Sequence, residues 1–181
     1  MIFRNTTKQA FAQALKSQLA AKDLSAIRVQ DLCRLCGTER PTFYYHFRDK
    51  YDLVTWVYEQ DLRQTIGMPG EPFHVDQLEQ LLLLMQKEQI FYKKALADPA
   101  QNALLPYIHQ RSLSLAQASL HGPQSQESLT QEEIFHIRML AYSWCHCLLD
   151  WISGEYDFTA AQYARLMYRS IPLPESSKAN P

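Results

Sequence analysis

Apolar residues recur every three or four positions along most of this chain, and runs of β-branched residues are few, so the pattern predicts helices and no sheet. Phe11, Leu15 and Leu19 step by four while Lys8, Gln13, Lys16 and Lys22 fall elsewhere, which predicts a helix over 7–21. A short helix follows over 29–36, with Leu32 and Leu35 facing inward. A third spans 40–47, with Pro41 in its first turn, where a missing N–H costs nothing. The fourth runs over 50–66, with Leu53, Val54, Val57 and Leu62 inward. Gly67 to Pro72 holds two glycines and two prolines and is the clearest breaker in the chain. Beyond it the pattern predicts one helix over 75–96, ended by Asp98-Pro99, then two helices sharing 100–120 with a break near Pro106. His121 to Gln126 reads as a polar loop. A long helix over 131–153 has Thr130 as its N-cap, Glu133 three residues on in a capping-box pattern, and Gly154 at its end. A last helix covers 159–170, and the Pro-rich tail from Pro172 reads as loose. The fold class expected is therefore all-α, with about nine helices in two parts. Residues 1–50 form an N-terminal three-helix unit, helix 50–66 connects, and 67–181 form a C-terminal helical bundle.

Composition narrows this further. With 181 residues the chain is one large domain or two small ones, and 46% hydrophobic residues suffice for a real core. Residues 1–5 lack the apolar stretch of a signal peptide, and no apolar run approaches the roughly 18 residues of a membrane span. A cytoplasmic protein with no membrane partner is expected. Net charge is −1, but residues 1–50 hold nine Lys and Arg against four Asp and Glu, whereas 51–181 hold nine against fifteen. A basic N-terminal segment on an acidic body suits a nucleic-acid reader whose second part does another job.

The candidate chemistry sits between Gly37 and Lys50. Gly37 suits the turn of a helix-turn-helix, because glycine takes a positive φ at low cost. Phe43 and Phe47 share one face of the next helix, which frees Thr42, Tyr44, Tyr45 and His46 to point elsewhere. A core helix does not need so many hydrogen-bonding side chains; a helix in a DNA groove does. Arg40 and Thr42 stand at its exposed start as base-edge contacts. Arginine bridges the two acceptors of guanine, and the threonine methyl packs on a thymine methyl, as Pro41 would beside it. Gln30 and Arg28 at the start of the preceding helix are phosphate candidates, as is Lys50 at the N-terminus of the next one. Tyr45 has two readings, a backbone contact or a ring packed between helices.

Other clusters carry less. Cys145-His146-Cys147 cannot bind one metal from a regular helix, because neighbours point about 100° apart. There is no Gly-rich phosphate loop, nucleophile elbow or metal-ligand set, so no enzyme, metal site or cofactor is expected. Helix 131–153 carries two apolar stripes. One is Ile134, Ile137, Ala141, Trp144, Leu148 and Trp151; beside it run Phe135, Met139, Tyr142 and Leu149. Such a helix must be covered on more than one side. A homodimer would cover it, with Ile137, Ala141, Trp144, Leu148, Trp151, Tyr163 and Met167 at a four-helix interface; the alternative is a core wholly within one chain.

Ala10 and Ala14, Val29-Gln30-Asp31-Leu32, Gly37, Thr42-Phe43-Tyr44-Tyr45-His46-Phe47 and Lys50 followed by Leu53 together resemble the DNA-binding domain of the TetR/AcrR family of bacterial transcriptional regulators. The later segments Phe91 to Leu96 and Leu149 to Gly154 are similar, more weakly, to its dihydroxyacetone-kinase-activator branch. The resemblance implies a homodimeric, sequence-specific regulator bound to a palindromic double-stranded operator. It also implies phosphate contacts from Tyr44, His46 and Lys50, and alanine-like structural roles for Cys33 and Cys36, whose C-x-x-C spacing otherwise invites a redox or zinc reading. Control by a small-molecule effector or a protein co-regulator follows by analogy, with Tyr92, Tyr107, His109, Trp144 and His146 as candidate liners, although aromatic residues line cores equally. Arg28 stands where Thr or Ser is usual, which weakens that N-cap. Thr38 and Glu39 replace the usual Val and Ser; a carboxylate at Glu39 accepts from a cytosine amino group and shifts sequence preference. The rival reading is a protein-interaction module with an inert helix-turn-helix.

Overall fold

The computed structural model describes residues 2–66, 74–111 and 128–170, with side chains from residue 6 onward. Among them every regular element is helical. These are α1 (Ile2–Ala21), a 3-10 turn η1 (Leu24–Ala26), α2 (Val29–Leu35), α3 (Arg40–His46), α4 (Lys50–Thr65), α5 (Val75–Lys87), α6 (Gln89–Ala97), α7 (104–111), α8 (Gln131–Ser153) and α9 (Ala160–Ser170). The breaker at 67–72, the helix expected beyond 111, the loop at 121–126 and the tail lie outside the described residues. No described helix is long and apolar enough to cross a membrane.

Local chemistry accounts for the element ends. The α2–α3 turn is a Schellman closure: Gly37 sits at φ +62°, Thr38 N donates to Cys33 O at 3.0 Å, and Gly37 N donates to Arg34 O at 3.3 Å. Pro41 lies in the first turn of α3. Asp49 caps α4, its Oδ1 accepting from the backbone N–H groups of Tyr51 and Asp52 at 2.8 Å each. Thr130 and Glu133 form the expected capping box of α8, and Gly154 closes it at φ +89°. α1 begins earlier than periodicity indicated, at Ile2 rather than 7.

The helix expected over 75–96 is two. Glu88 leaves helical geometry at φ −102°, ψ 33°, and its carboxylate pairs with Lys16 of α1 at 3.3 Å. No glycine or proline marks the break. The cause is packing: α5 lies on α4 and α9, whereas α6 lies on α1 and α8, and one straight rod cannot serve both sets of partners. A second difference is Leu35, expected inward but 54% exposed. Val29, Leu32, Cys33 and Cys36 centre the buried face of α2, and Leu35 lies about 110° away from it.

The core is continuous between the two parts. Phe11, Leu15 and Leu19 of α1 meet Phe43 and Phe47 of α3 and Leu53, Val54 and Val57 of α4, and the same cluster runs on through Leu82, Phe91 and Tyr92 to Trp151, Tyr163 and Ala164. The N-terminal unit meets the bundle through α4 against α5 and α1 against α6.

Candidate nucleic-acid interface

Three phenylalanines set the attitude of α3. Phe43 and Phe47 are buried, and Phe11 meets each ring edge-on, at 5.2 and 6.3 Å between centroids. Trp56 closes on Phe47 at 6.0 Å, and Lys8 Nζ lies 5.1 Å above the Phe47 ring. With that face clamped, Arg40, Pro41, Tyr44 and Tyr45 stand in solvent, and Thr42 and His46 are half-buried. Tyr45 is 66% exposed, which decides between its two readings: the ring lies on the surface, edge-on to His46, and not between helices. Arg40 Nη2 donates to Tyr44 Oη at 3.3 Å.

The neighbouring candidates divide. Arg28 is the exposed N-cap of α2 and makes no side-chain cap, as its replacement of Ser or Thr implied; Gln30 is exposed in the first turn. Glu39 is the exposed N-cap of α3, also without a side-chain cap. Thr38 differs from expectation, because its hydroxyl is buried in the turn without a hydrogen-bond partner and does not project toward a groove. Lys50 differs too. Its Nζ donates to Leu24 O at 2.7 Å, Ser25 O at 2.8 Å and Ile27 O at 3.1 Å, so all three donors close the end of η1. Burial lowers the Lys50 ammonium from the usual lysine value, against the opposing pull of Asp98 and Asp49. Lys50 is a pin between the start of α4 and the loop into α2, a role that residue type alone did not reveal.

The five aromatic and histidine residues named as pocket liners engage different partners among the described residues. Tyr92 is sealed in the core, and its hydroxyl donates to Asp61 Oδ2 of α4. Tyr107 Oη donates to Glu59 Oε1 of α4 at 2.8 Å, and Arg111 Nε lies 3.0 Å from the same oxygen. His109 faces Tyr142 at 4.2 Å, and burial, then His146, lowers its pKa. Trp144 Nε1 donates to Ser170 Oγ at 2.8 Å, and His146 is exposed on α8. The polar members instead tie α4 to α6 and α7. Asn102 adds to this by donating to Asp49 Oδ2 at 2.9 Å, so the α4 cap is shared with the loop after α6. Asp49 carries a cap signal of its own, an aspartate just before a periodic apolar run.

The residues expected at a dimer interface also divide. Ile137, Ala141, Leu148, Trp151 and Tyr163 are buried within the chain itself, and Trp144 and Met167 are half-buried. Trp151 stacks on Tyr163 at 5.1 Å, 7° between planes, and donates to Phe158 O. The stripe left outside is the other one: Phe135, 64% exposed, with Met139 and Tyr142. Cys33 and Cys145 are buried, all four cysteines are free, and burial pushes the Cys145 thiol up to about 12. No described cluster of three or more His, Cys, Asp or Glu is placed to hold a metal ion.

Residues 12–55, from α1 into α4, match the family described as bacterial regulatory proteins, tetR family. A curated relative, the HTH-type dhaKLM operon transcriptional activator DhaS of Lactococcus lactis subsp. lactis (strain IL1403), is 31% identical over 90 residues. That alignment covers 49% of this chain and 48% of the relative, so the match spans about half the length of each. In overall shape the chain is similar to a solved structure, the dihydroxyacetone kinase operon activator DhaS, over 90% of this chain and 92% of that one, with a TM-score of 0.60 and 20% identity.

Proposed function

We propose that the protein, whose residues 12–55 match the tetR family of bacterial regulatory proteins, is a homodimeric, sequence-specific DNA-binding regulator of transcription, acting in the cytoplasm. The observation that carries the proposal is the division of α3: Phe43 and Phe47 are locked beneath it while Arg40, Pro41, Tyr44 and Tyr45 face solvent. A helix held that rigidly is a reading head. Arg40, Thr42 and Pro41 read base edges, and Arg28, Gln30, Tyr44 and His46 meet the backbone that sets register. Lys50 fixes the loop behind them.

A second copy is part of the reading. One seven-residue helix in one groove makes few contacts, whereas two copies address a palindrome with half-sites whole turns apart. The outward stripe of Phe135, Met139 and Tyr142 is the surface that a two-fold partner would cover. Control by an effector or co-regulator would act through the hydrogen bonds from α4 to α6 and α7, because a shift of those helices would pull on α4.

Selection from random duplex DNA tests the reading. Wild type should enrich a two-fold-symmetric sequence, and Arg40→Ala with Thr42→Ala should retain only weak, salt-sensitive binding without that preference. Recovery of no sequence above background would overturn it. Met139→Asp with Tyr142→Asp should convert a dimer to a monomer in sedimentation velocity; a dimer unchanged by both would place the interface elsewhere.

A further inference from the structure

Tyr44 does more than stand beside Arg40. The two lie one turn apart on α3, so their side chains share a face. The Arg40 guanidinium carbon is 5.8 Å from the centroid of the Tyr44 ring, and Nη2 donates to the Tyr44 hydroxyl. The Tyr44 ring in turn meets Phe43 edge-on at 5.5 Å and 89°, and Phe43 is wholly buried against Phe11 and Phe47. A continuous train of rings therefore runs from the core to a cation in solvent.

We propose that Tyr44 is a positioning residue for base recognition, holding the Arg40 guanidinium in the attitude that presents its paired donors to a guanine. The proposal rests on the reading of α3 as the groove helix. Three physical points support it. A free surface arginine loses rotamer entropy on binding, and one already braced loses less. The guanidinium has five N–H donors; one spent on Tyr44 leaves four, enough for the two bonds to guanine O6 and N7. The Tyr44 oxygen accepts in that bond, so its own proton stays free to reach a phosphate oxygen, which ties the base contact to the backbone register. The simpler role, a phosphate contact alone, needs no Arg40 and makes no reference to sequence.

The two roles separate in a double-mutant cycle read as base preference. For wild type, Tyr44→Phe, Arg40→Ala and the pair, binding is measured to the selected operator and to copies in which each guanine is replaced in turn. A good bidentate pair discriminates by roughly fivefold to a hundredfold. Arg40→Ala should abolish preference at one guanine. Tyr44→Phe, which keeps the ring and removes the acceptor, should lower preference at that same guanine by about fivefold. It should leave the salt slope unchanged, since no cation is lost. In the Arg40→Ala background Tyr44→Phe should cost no further preference. Both sites are on the surface, and thermal melts of the variants confirm folding. Preference unchanged in Tyr44→Phe, or reduced equally with and without Arg40, overturns the proposal and leaves the regulator reading standing. A wild type that prefers no sequence removes both.

Discussion

Replacing Lys50 by methionine keeps most of the stem and removes the ammonium that three carbonyls share. Those carbonyls belong to Leu24, Ser25 and Ile27, and two of the three residues are buried in the core. Hydrogen bonds from a charged donor are worth about 1.5–3 kcal/mol each when buried. The full sum does not apply here. Lys50 is half-buried, the Ser25 carbonyl is within reach of water, and desolvation of the ammonium, visible in its lowered pKa, offsets part of the gain. A net loss of about 1–2 kcal/mol is expected. For a chain of this size that lowers Tm by about 2–8 °C. Urea denaturation and thermal melts measure the loss. A salt titration of binding to one fixed duplex supplies the second reading. If Lys50 acts as a pin, the slope of log K against log salt changes little. If it were spent on a phosphate, the slope would flatten by about one unit with stability intact. That second pattern would refute the assignment.

Three further outcomes follow from the same coordinates. Burial raises the Asp61 carboxyl from its unfolded value of 3.8, against the Tyr92 hydroxyl and Lys16, which lower it. The folded state then binds this proton more tightly than the unfolded chain, so the contribution is full below 3.8 and is lost as pH rises through the higher folded value. Asp61→Asn should therefore gain stability relative to wild type from pH 3.5 to pH 7, measured as the difference in urea midpoint; a difference that shrinks with pH would contradict the sign. Gly37→Ala should cost about 1 kcal/mol, because the strain lies in the positive φ alone. An added Cβ there meets nothing within 4 Å, so a loss above about 3 kcal/mol in denaturation would mean the turn is not as described. Phe43→Ala should cost about 3–5 kcal/mol and loosen α3 first, read by hydrogen exchange of α3 amides against those of α8.

Much of this architecture could be read from local rules. Spacing of apolar residues located α2, α3, α4 and α8 to within a residue or two, because periodicity needs only the four residues around each position. Caps were legible for the same reason, as at Thr130, Gly154 and the Gly37 turn. The outward face of α3 was legible too, since two phenylalanines four apart leave the remaining positions a single direction. Contacts between distant segments were not. The break at Glu88 arises because α5 and α6 answer to different partners, and no residue near Glu88 encodes that. Lys50 looked like an anion site until the loop at 24–27, more than twenty residues away, supplied its carbonyls.

The same limit explains α8. The chain by itself determined that this helix has two apolar stripes, because composition and spacing are properties of the helix alone. Only the tertiary structure decided that Ile137, Ala141, Leu148 and Trp151 turn inward while Phe135, Met139 and Tyr142 remain outside. Which stripe is covered depends on where α6, α7 and α9 come to rest, and that is settled by the joint packing of all of them.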